Sequence, residues 1–468
     1  MYSKNNRLDN MYISKNERYL SLIIIAFYLP FLLSDLPFRD DLSRTYWGFV
    51  GLSQLGRPLA DIAYSLVGFG YEGVNLSPMP KIIALSLLLS SAIFSYRKLF
   101  NSTGVTGLLS LSIFFANPFI IQNFAYQYDC LPMALSILLS TVSVLYRPRS
   151  SYFYFLSASL LLASAISLYQ ASIFIAASLY LCKITIYFFH NKNYRDVLIE
   201  CMLTLLSSFF SIACYMVILL FVENGVSKRA SITGLSGVIN NIEFLWGKLN
   251  NLYHSVYIFF IILSLVVLFS LLRNVILKRY VKLCLILLIL VALLVSSLLP
   301  SVILKEGFAG PRVLMSICSI FIFLSIIATG KEKYVYAMVL SVLMMHSMSI
   351  SYAFSGDIKA QYDRYSMISS LVFKDVDNYV SSNSAKIYIS CKSTPSQREM
   401  VFYKYNNHIA WLNPEEAWAI RFFIRNNGES RVVHSWDECI NTNGGKIIKE
   451  NAFYKMVVNK NSYYFIMK

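Results

Sequence analysis

Long apolar segments separated by short polar loops occupy most of this chain. Hydrophobic residues make up 56% of the 468 residues and charged residues only 14%, so a single soluble core cannot bury them all. A helix of about 17 to 25 apolar residues spans a bilayer, and shorter ones are tolerated. We predict a mainly α polytopic membrane protein of about eleven transmembrane helices, starting near Tyr19, Lys81, Val105, Leu131, Tyr152, Ala171, Val197, Tyr253, Leu283, Val313 and Tyr334.

Lys and Arg concentrate in alternate loops, and cytoplasmic loops of membrane proteins carry this excess. The basic loops hold Arg97 with Lys98, Arg147 with Arg149, Lys192 with Arg195, Arg273 to Lys282, and Lys331 with Lys333. The pattern predicts a cytoplasmic N-terminus, a first helix retained rather than cleaved, and, after an odd number of spans, an outer C-terminus. The net charge of +16 is therefore assigned to loops that meet anionic lipid, and no nucleic-acid partner is implied.

Two adjacent carboxylates, Asp40 and Asp41, follow the first apolar segment, with Arg44 and Arg57 close behind them. All four belong to a long outer loop, 37–80. Ionised groups crowded against a membrane boundary are costly and usually functional, although a solvated charged loop is the simpler alternative. We interpret the paired acids and arginines as a site.

The same loop carries apolar residues at helical spacing in Thr45–Leu55 and Pro58–Gly68. We predict two short helices lying along the membrane surface, the second starting with Pro58 at its first position. An ordinary loop with an apolar lining is the alternative.

Two short outer loops place aromatic rings beside amides and one acid: Gln127, Tyr128 and Asp129, then Tyr169 and Gln170. Aromatic rings stack on sugar faces, and amides and carboxylates take hydroxyl hydrogen bonds. These residues are candidates for a sugar or acceptor site. An interfacial aromatic belt explains the tyrosines about equally well, but not Asp129 and Gln170.

An outer arginine at the start of a helix, Arg312, runs against the positive-inside bias and suggests an anionic partner such as a lipid phosphate. Lys305 precedes it in the same loop. For Lys305, phosphate binding and simple snorkelling to the interface are equal alternatives.

From residue 353 the chain becomes polar, and 353–468 is long enough for one small domain after a transmembrane domain, 1–352. We predict a helix at Pro414 to Arg425 and strands at Lys386 to Ser390, Arg431 to His434, Lys446 to Lys449, Lys455 to Asn459 and Ser462 to Met467. Cys391 and Cys439 are predicted to form a disulfide in this outer α/β domain. No metal site is expected, because histidines and cysteines are not paired at ligand spacing.

The motifs at these positions resemble those of the type II family of serotype-converting O-antigen glucosyltransferases. They are Asp40-Asp41-Leu42-Ser43-Arg44, Gly56-Arg57-Pro58-Leu59, Tyr128-Asp129-Cys130-Leu131-Pro132-Met133 and Ser167-Leu168-Tyr169-Gln170. The resemblance spans most of the membrane part and implies a bundle like that of the C-type glycosyltransferases. It leaves the C-terminal domain without a familiar motif.

The resemblance further implies undecaprenyl-phosphate glucose as donor, lipid-linked O-antigen as acceptor, and action on the periplasmic face of a bacterial inner membrane. It implies serotype conversion without a nucleotide sugar, together with a donor-lipid synthase and a donor-lipid flippase. Inverting transfer needs a carboxylate base and cations for the leaving phosphate. Asp40 or Asp41 would be the base, and Arg44, Arg57, Arg312 and Lys305 the candidate phosphate ligands.

Two other classes of membrane protein are alternatives. A lipid-linked oligosaccharide flippase would carry charges along a central path within its helices, and these spans are nearly free of charge. An O-antigen polymerase resembles a bundle whose large loop lies between spans rather than after the last one. Neither is favoured.

Overall fold

The computed structural model describes residues 13–70, 73–148, 150–189, 194–222, 233–276, 280–303, 310–328, 332–380, 382, 384–390, 393–414, 416–433 and 445–468. The first nine helices are α1 (Lys15–Ser34), α2 (Asp40–Trp47), α3 (Pro58–Val67), α4 (Met79–Phe100), α5 (Val105–Phe115), α6 (Ile121–Ala125), α7 (Cys130–Leu145), α8 (Ser151–Leu168) and α9 (Ser172–Phe189). They are followed by α10 (Tyr194–Leu220), α11 (Leu235–Tyr253), α12 (Tyr257–Ile276), α13 (Tyr280–Ile303), α14 (Ser319–Ile327), α15 (Glu332–Tyr379), α16 (Gln397–Tyr405), α17 (His408–Leu412) and α18 (Ala417–Asn426). Strands β1 (Lys386–Ser390), β2 (Lys446–Glu450), β3 (Tyr454–Asn459) and β4 (Ser462–Met467) complete the mainly α architecture.

Among the described helices, six segments are long and apolar enough to cross a membrane: Lys15–Ser34, Met79–Phe100, Ser151–Leu168, Arg195–Leu220, Leu235–Phe269 and Glu332–Tyr379. The predicted class of membrane protein is supported. Several other predicted spans coincide with shorter apolar helices, such as α5 and α7. The number of about eleven spans stays a prediction, since an 11-residue helix such as α5 measures only about 17 Å against about 30 Å of hydrocarbon.

The chain between α5 and α7 turns inside the protein rather than on its surface. Helix α5 ends at Phe115, and the side-chain oxygen of the nearby Asn117 accepts the N–H of Phe119 at 2.9 Å and of Ile120 at 3.1 Å. This local turn replaces the helical hydrogen bonds lost at the break. The short α6 follows, and after it the buried segment 126–129 packs against segment 37–80.

Segment 37–80 contains two short helices, α2 and α3. The predicted second helix, Pro58–Gly68, is confirmed by α3, whereas the predicted first helix, Thr45–Leu55, is wrong for most of its length because Gly48 ends α2 in a left-handed conformation at φ 61°. Pro58 lies at the start of α3, and Gly56 makes the preceding turn at φ 74°. Helix α2 begins at Asp40, earlier than the predicted start at Thr45. Asp40 and Asp41 therefore occupy the first turn of a helix, where the exposed N–H groups favour negative charge.

The longest helix, α15, has 48 residues and a length of about 72 Å at 1.5 Å per residue. It exceeds the thickness of a bilayer more than twofold, at about 30 Å. Its first part packs on α1 and α5, and its last part packs on α16 and α18. The predicted domain boundary at residue 353 lies within this uninterrupted helix, which joins the membrane bundle to the C-terminal region.

The C-terminal region forms a four-stranded sheet of order β1-β4-β3-β2, with β1 parallel to β4 and the other pairs antiparallel. Four of the five predicted strands are confirmed. The prediction of a strand from Arg431 to His434 is wrong for its described part, because Val432 makes only one bridge, to Ile387. The predicted helix begins at Ala417 rather than Pro414, since Glu416 has an extended backbone.

Candidate active site

Helix α2 carries the paired acids, and Asp41 is the one that ties it to the bundle. The Asp41 side chain is fully buried. Its Oδ2 accepts the backbone N–H of Phe38 and of Gln127, both at 2.9 Å, and its Oδ1 accepts that of Tyr128 at 3.4 Å. The carboxyl group thus satisfies backbone donors of two separate loops, which is a structural task.

Burial raises the pKa of Asp41 to about 7, although the charge of Arg44 and the N–H groups of Gln127 and Phe38 lower it. Desolvation dominates because no water reaches the group. Both oxygens already accept hydrogen bonds and neither is exposed. Asp41 is therefore poorly placed to take a proton from a substrate hydroxyl.

The raised pKa of Asp41 predicts a pH-dependent contribution to stability. Its folded pKa of about 7 lies above the ordinary 3.8, so the neutral form stabilises the fold below about pH 4, and this contribution is lost as pH rises through about 7. Asp41→Asn keeps a neutral side chain of similar shape at every pH. We expect the thermal midpoint of the wild-type protein in detergent to fall relative to that variant between about pH 4 and pH 7. A difference that is constant across this interval would contradict the assignment.

Asp129 is the second buried carboxylate of the site, with 1% exposure. Arg44, on the next turn of α2 after Asp41, donates to it from Nη1 at 2.7 Å and from Nη2 at 3.4 Å. Arg57 Nη1 lies 3.9 Å from Asp129 Oδ2, the same oxygen that accepts from Arg44 Nη2. A fork of this kind holds a carboxylate firmly and joins α2 to the start of α7.

Arg57 precedes α3 and is held by the loop before α9. Its Nε donates to Gln170 Oε1 at 3.1 Å, and its guanidinium lies 4.7 Å from the centre of the Tyr169 ring. The Gln170 amide donates in turn to the Leu55 and Gly56 carbonyls, both at 3.0 Å. The arginine is thereby oriented, with its cationic end directed at Asp129.

Arg312 approaches the same place from the 3-10 turn before α14. Its guanidinium lies 5.3 Å from the centre of the Tyr126 ring, and its backbone carbonyl accepts the Tyr169 hydroxyl at 3.5 Å. Its Nη1 is buried and has no hydrogen-bond partner among the residues that the structure describes. A buried donor of this type calls for an anionic or polar ligand.

Asp40 differs from the other two acids. It is only half-buried, and within the described residues its carboxylate makes no hydrogen bond or ion pair. It nevertheless lies in electrostatic range of Arg44, Tyr126 and Arg312. Asp40 is thus an accessible carboxylate beside an arginine cluster.

Two predicted sugar-binding residues form side-chain hydrogen bonds with other parts of the protein. The Tyr128 hydroxyl donates to the Gly73 carbonyl at 3.0 Å. The Gln127 amide donates to the Asp35 carbonyl at 2.9 Å and its oxygen accepts from Asn75 at 2.6 Å. Both side chains hold the site together.

Sequence reasoning did not single out Arg39, Glu416 and Tyr215. Arg39 forms an ion pair with Glu416 at 2.7 Å, and Tyr215 donates to the Gly56 carbonyl at 2.8 Å. Glu416 and Tyr215 lie far from the motifs along the chain, so their sequence positions did not indicate that they belong to the site. Arg39 is next to Asp40, and that position could have indicated it. Lys305, Cys391 and Cys439 lie outside the described residues, so the predicted phosphate contact and disulfide stay predictions.

The chain matches the Glucosyl transferase GtrII family over residues 29–323, which include Asp40 through Arg312. A protein of Salmonella phage P22, described as an uncharacterized 55.3 kDa protein in the gtrB 5′ region, is 34% identical over 174 residues, covering 36% of this chain and 34% of that protein. The match thus spans about a third of the relative's length. No solved structure matches, and the C-type glycosyltransferase fold stays a prediction. The family predicted from the motifs is confirmed: the chain belongs to the Glucosyl transferase GtrII family.

Proposed function

We propose that this protein transfers glucose from undecaprenyl-phosphate glucose to lipid-linked O-antigen, on the periplasmic face of a bacterial inner membrane and with inversion at the anomeric carbon. Membership of a glucosyltransferase family supports glucosyl transfer. The donor, the acceptor and the mechanism are proposals that rest on the geometry of the site and on the resemblance of its motifs.

The observation that carries the mechanism is the half-buried carboxylate of Asp40, which has no hydrogen-bond or ion-pair partner among the described residues and lies in electrostatic range of Arg44 and Arg312. In the proposed step an acceptor hydroxyl attacks the anomeric carbon, the bond from that carbon to the phosphate oxygen breaks, and Asp40 takes the hydroxyl proton. Undecaprenyl phosphate leaves with the bonding electrons. A base must reach its proton directly or through one water. Among the described residues the Asp40 oxygens have no hydrogen-bond partner, whereas both Asp41 oxygens accept hydrogen bonds.

The arginine cluster supports a phosphate-bearing donor. Arg44, Arg57 and Arg312 all lie in electrostatic range of Asp129, and Arg44 and Arg312 also lie in range of Asp40, so three arginines meet two carboxylates. The remaining positive charge suits the phosphate that develops charge as the glycosyl bond breaks. Arg44 forms a two-pronged ion pair with Asp129, so Arg312 and the weakly paired Arg57 are the proposed phosphate ligands. The Tyr126 and Tyr169 rings beside them are suited to the sugar.

The proposed orientation has the N-terminus in the cytoplasm and both α2 and the C-terminal region in the periplasm. The alternation of basic loops supports it. A reporter fused after Lys468 should then be active only in the periplasm, and cytoplasmic activity would reverse the proposed face of catalysis. No metal is required in this proposal, because arginines supply the positive charge.

Reconstitution of the purified protein with polyprenyl-phosphate glucose and a lipid-linked O-antigen tests the function. We expect consumption of the donor and addition of single hexoses to the acceptor repeat, detected by glycan mass and linkage analysis. Transport of either lipid without a new glycosidic bond would indicate a flippase. Growth in the number of repeats would indicate a polymerase. Either outcome would overturn the proposal.

A further inference from the structure

Helix α2 lies between two separate cores. On one side Asp41 and Arg44 bind the membrane bundle, as described above. On the other side Leu42 is buried in the core of the C-terminal region. The Leu42 carbonyl also accepts the side-chain amide of Asn426, in α18, at 2.8 Å. The placement of the α2 acids therefore depends on the C-terminal region as well as on the bundle.

A second contact reinforces this side of α2. The Arg425 guanidinium lies 4.0 Å from the centre of the Tyr46 ring and also donates to the Tyr46 hydroxyl. Phe422 packs against the same ring and against Trp47. Helix α18 thus packs against α2 between Leu42 and Trp47.

The residue before Asp40 has an unusual backbone. Arg39 adopts φ 47° and ψ −108°, a conformation that is unfavourable for an L-residue and persists only where its surroundings enforce it. The Arg39 guanidinium is held by Glu416 at 2.7 Å, at the start of α18. Because the backbone of Arg39 sets the direction from which α2 begins, it also sets the direction of the Asp40 side chain.

We propose that Glu416 is a positioning residue for Asp40. Its ion pair with Arg39 holds the strained turn before α2 and so fixes the orientation of the Asp40 carboxylate. The C-terminal region is then required for the geometry of the active site. The inference rests on the proposed function. Both partners are partly exposed, at 23% and 27%, so the ion pair contributes little to stability. A misplacement of about 1 Å at a reacting group, by contrast, can cost about 10²-fold in rate.

The variant Glu416→Gln tests the proposal. We expect kcat to fall by about 10- to 100-fold, while the KM values for donor and acceptor and the thermal midpoint stay at wild-type values. The matched control is Arg398→Gln, which breaks an exposed ion pair of 2.9 Å between Arg398 of α16 and Asp363 of α15. That variant should keep wild-type kcat.

Rescue and coupling separate a positioning role from a general one. The charge-exchanged variant Arg39→Glu with Glu416→Arg should recover part of the lost kcat. In an Asp40→Asn background, Glu416→Gln should cause little further loss of kcat, because the effects of residues that act through one another are not additive. If Glu416→Gln inserts poorly, Glu416→Asp, which keeps the charge but shortens the side chain, takes its place in the same cycle.

Three outcomes would overturn the proposal: wild-type kcat in Glu416→Gln, a change confined to KM, or full additivity with Asp40→Asn. These are distinct from failure of the proposed function. If Asp40→Asn abolishes transfer while Glu416→Gln does not alter it, only the positioning role falls. If Asp40→Asn itself is fully active, the catalytic assignment falls first.

Discussion

Replacement of Asp40 by Asn is expected to lower glucosyl transfer by about 10²- to 10⁴-fold. The amide keeps the size and much of the hydrogen bonding of the carboxylate, but it cannot accept the proton of the acceptor hydroxyl. Since Asp40 is half-buried and unpaired among the described residues, the substitution leaves no buried partner unsatisfied. Inserted protein should therefore be present at the wild-type level, and initial rates at saturating donor and acceptor measure the effect.

The adjacent acid is the internal control for that result. Asp41→Asn removes a charge at the next position but leaves Asp40 in place, so its loss of rate should be smaller and accompanied by a changed thermal midpoint. Asp363→Asn, at an exposed carboxylate of α15, should change neither. A larger loss of rate in Asp41→Asn than in Asp40→Asn, in equally stable protein, would exchange their roles. If both variants stay fully active, Asp129 becomes the next carboxylate to test.

Replacement of Arg312 by Lys is expected to weaken donor use by about 10- to 100-fold, which corresponds to about 1.5 to 3 kcal/mol for hydrogen bonds to a charged group. Lysine keeps the charge but loses the planar fork that holds two phosphate oxygens. The effect should appear in the KM for polyprenyl-phosphate glucose, with the acceptor KM unchanged. Titration of initial rates against each substrate separately measures both.

The matched control for Arg312 is Arg398→Lys, the same substitution at an exposed arginine of α16, which should leave both KM values unchanged. Arg57→Lys should resemble Arg312→Lys if both bind the phosphate. An acceptor KM that rises while the donor KM does not would move Arg312 to the acceptor side of the reaction and contradict the phosphate assignment.

The sequence alone was sufficient for the class of the protein, its family and most local elements. Hydrophobic composition predicts a membrane bundle because apolar surface must be removed from water. Alternating residues and turn formers predicted β1, β3 and β4, and Pro58 predicted the start of α3 because its fixed φ suits a first helical turn. The adjacent acids and arginines of the first outer loop also marked the region of the site, since unpaired charge is costly beside a membrane.

Only the tertiary structure distinguished between Asp40 and Asp41. The two residues are neighbours of one type, and their roles differ because the backbone N–H groups of Phe38, Gln127 and Tyr128 surround one of them. Local sequence carries no record of donors that arrive from more than eighty residues away. The same reason explains why Arg44 is committed to Asp129 and why one Arg312 donor stays unpaired among the described residues.

The contact of the C-terminal region with α2 likewise emerged only from the fold. Glu416 lies 377 residues from Arg39 along the chain, and no motif connects them. The 48-residue helix α15 continues from the bundle into the C-terminal core and so brings α18 to the first outer loop. Charge, hydropathy and turn residues act over a few positions and therefore predict elements, whereas ion pairs and buried hydrogen bonds depend on which elements the packed chain places side by side.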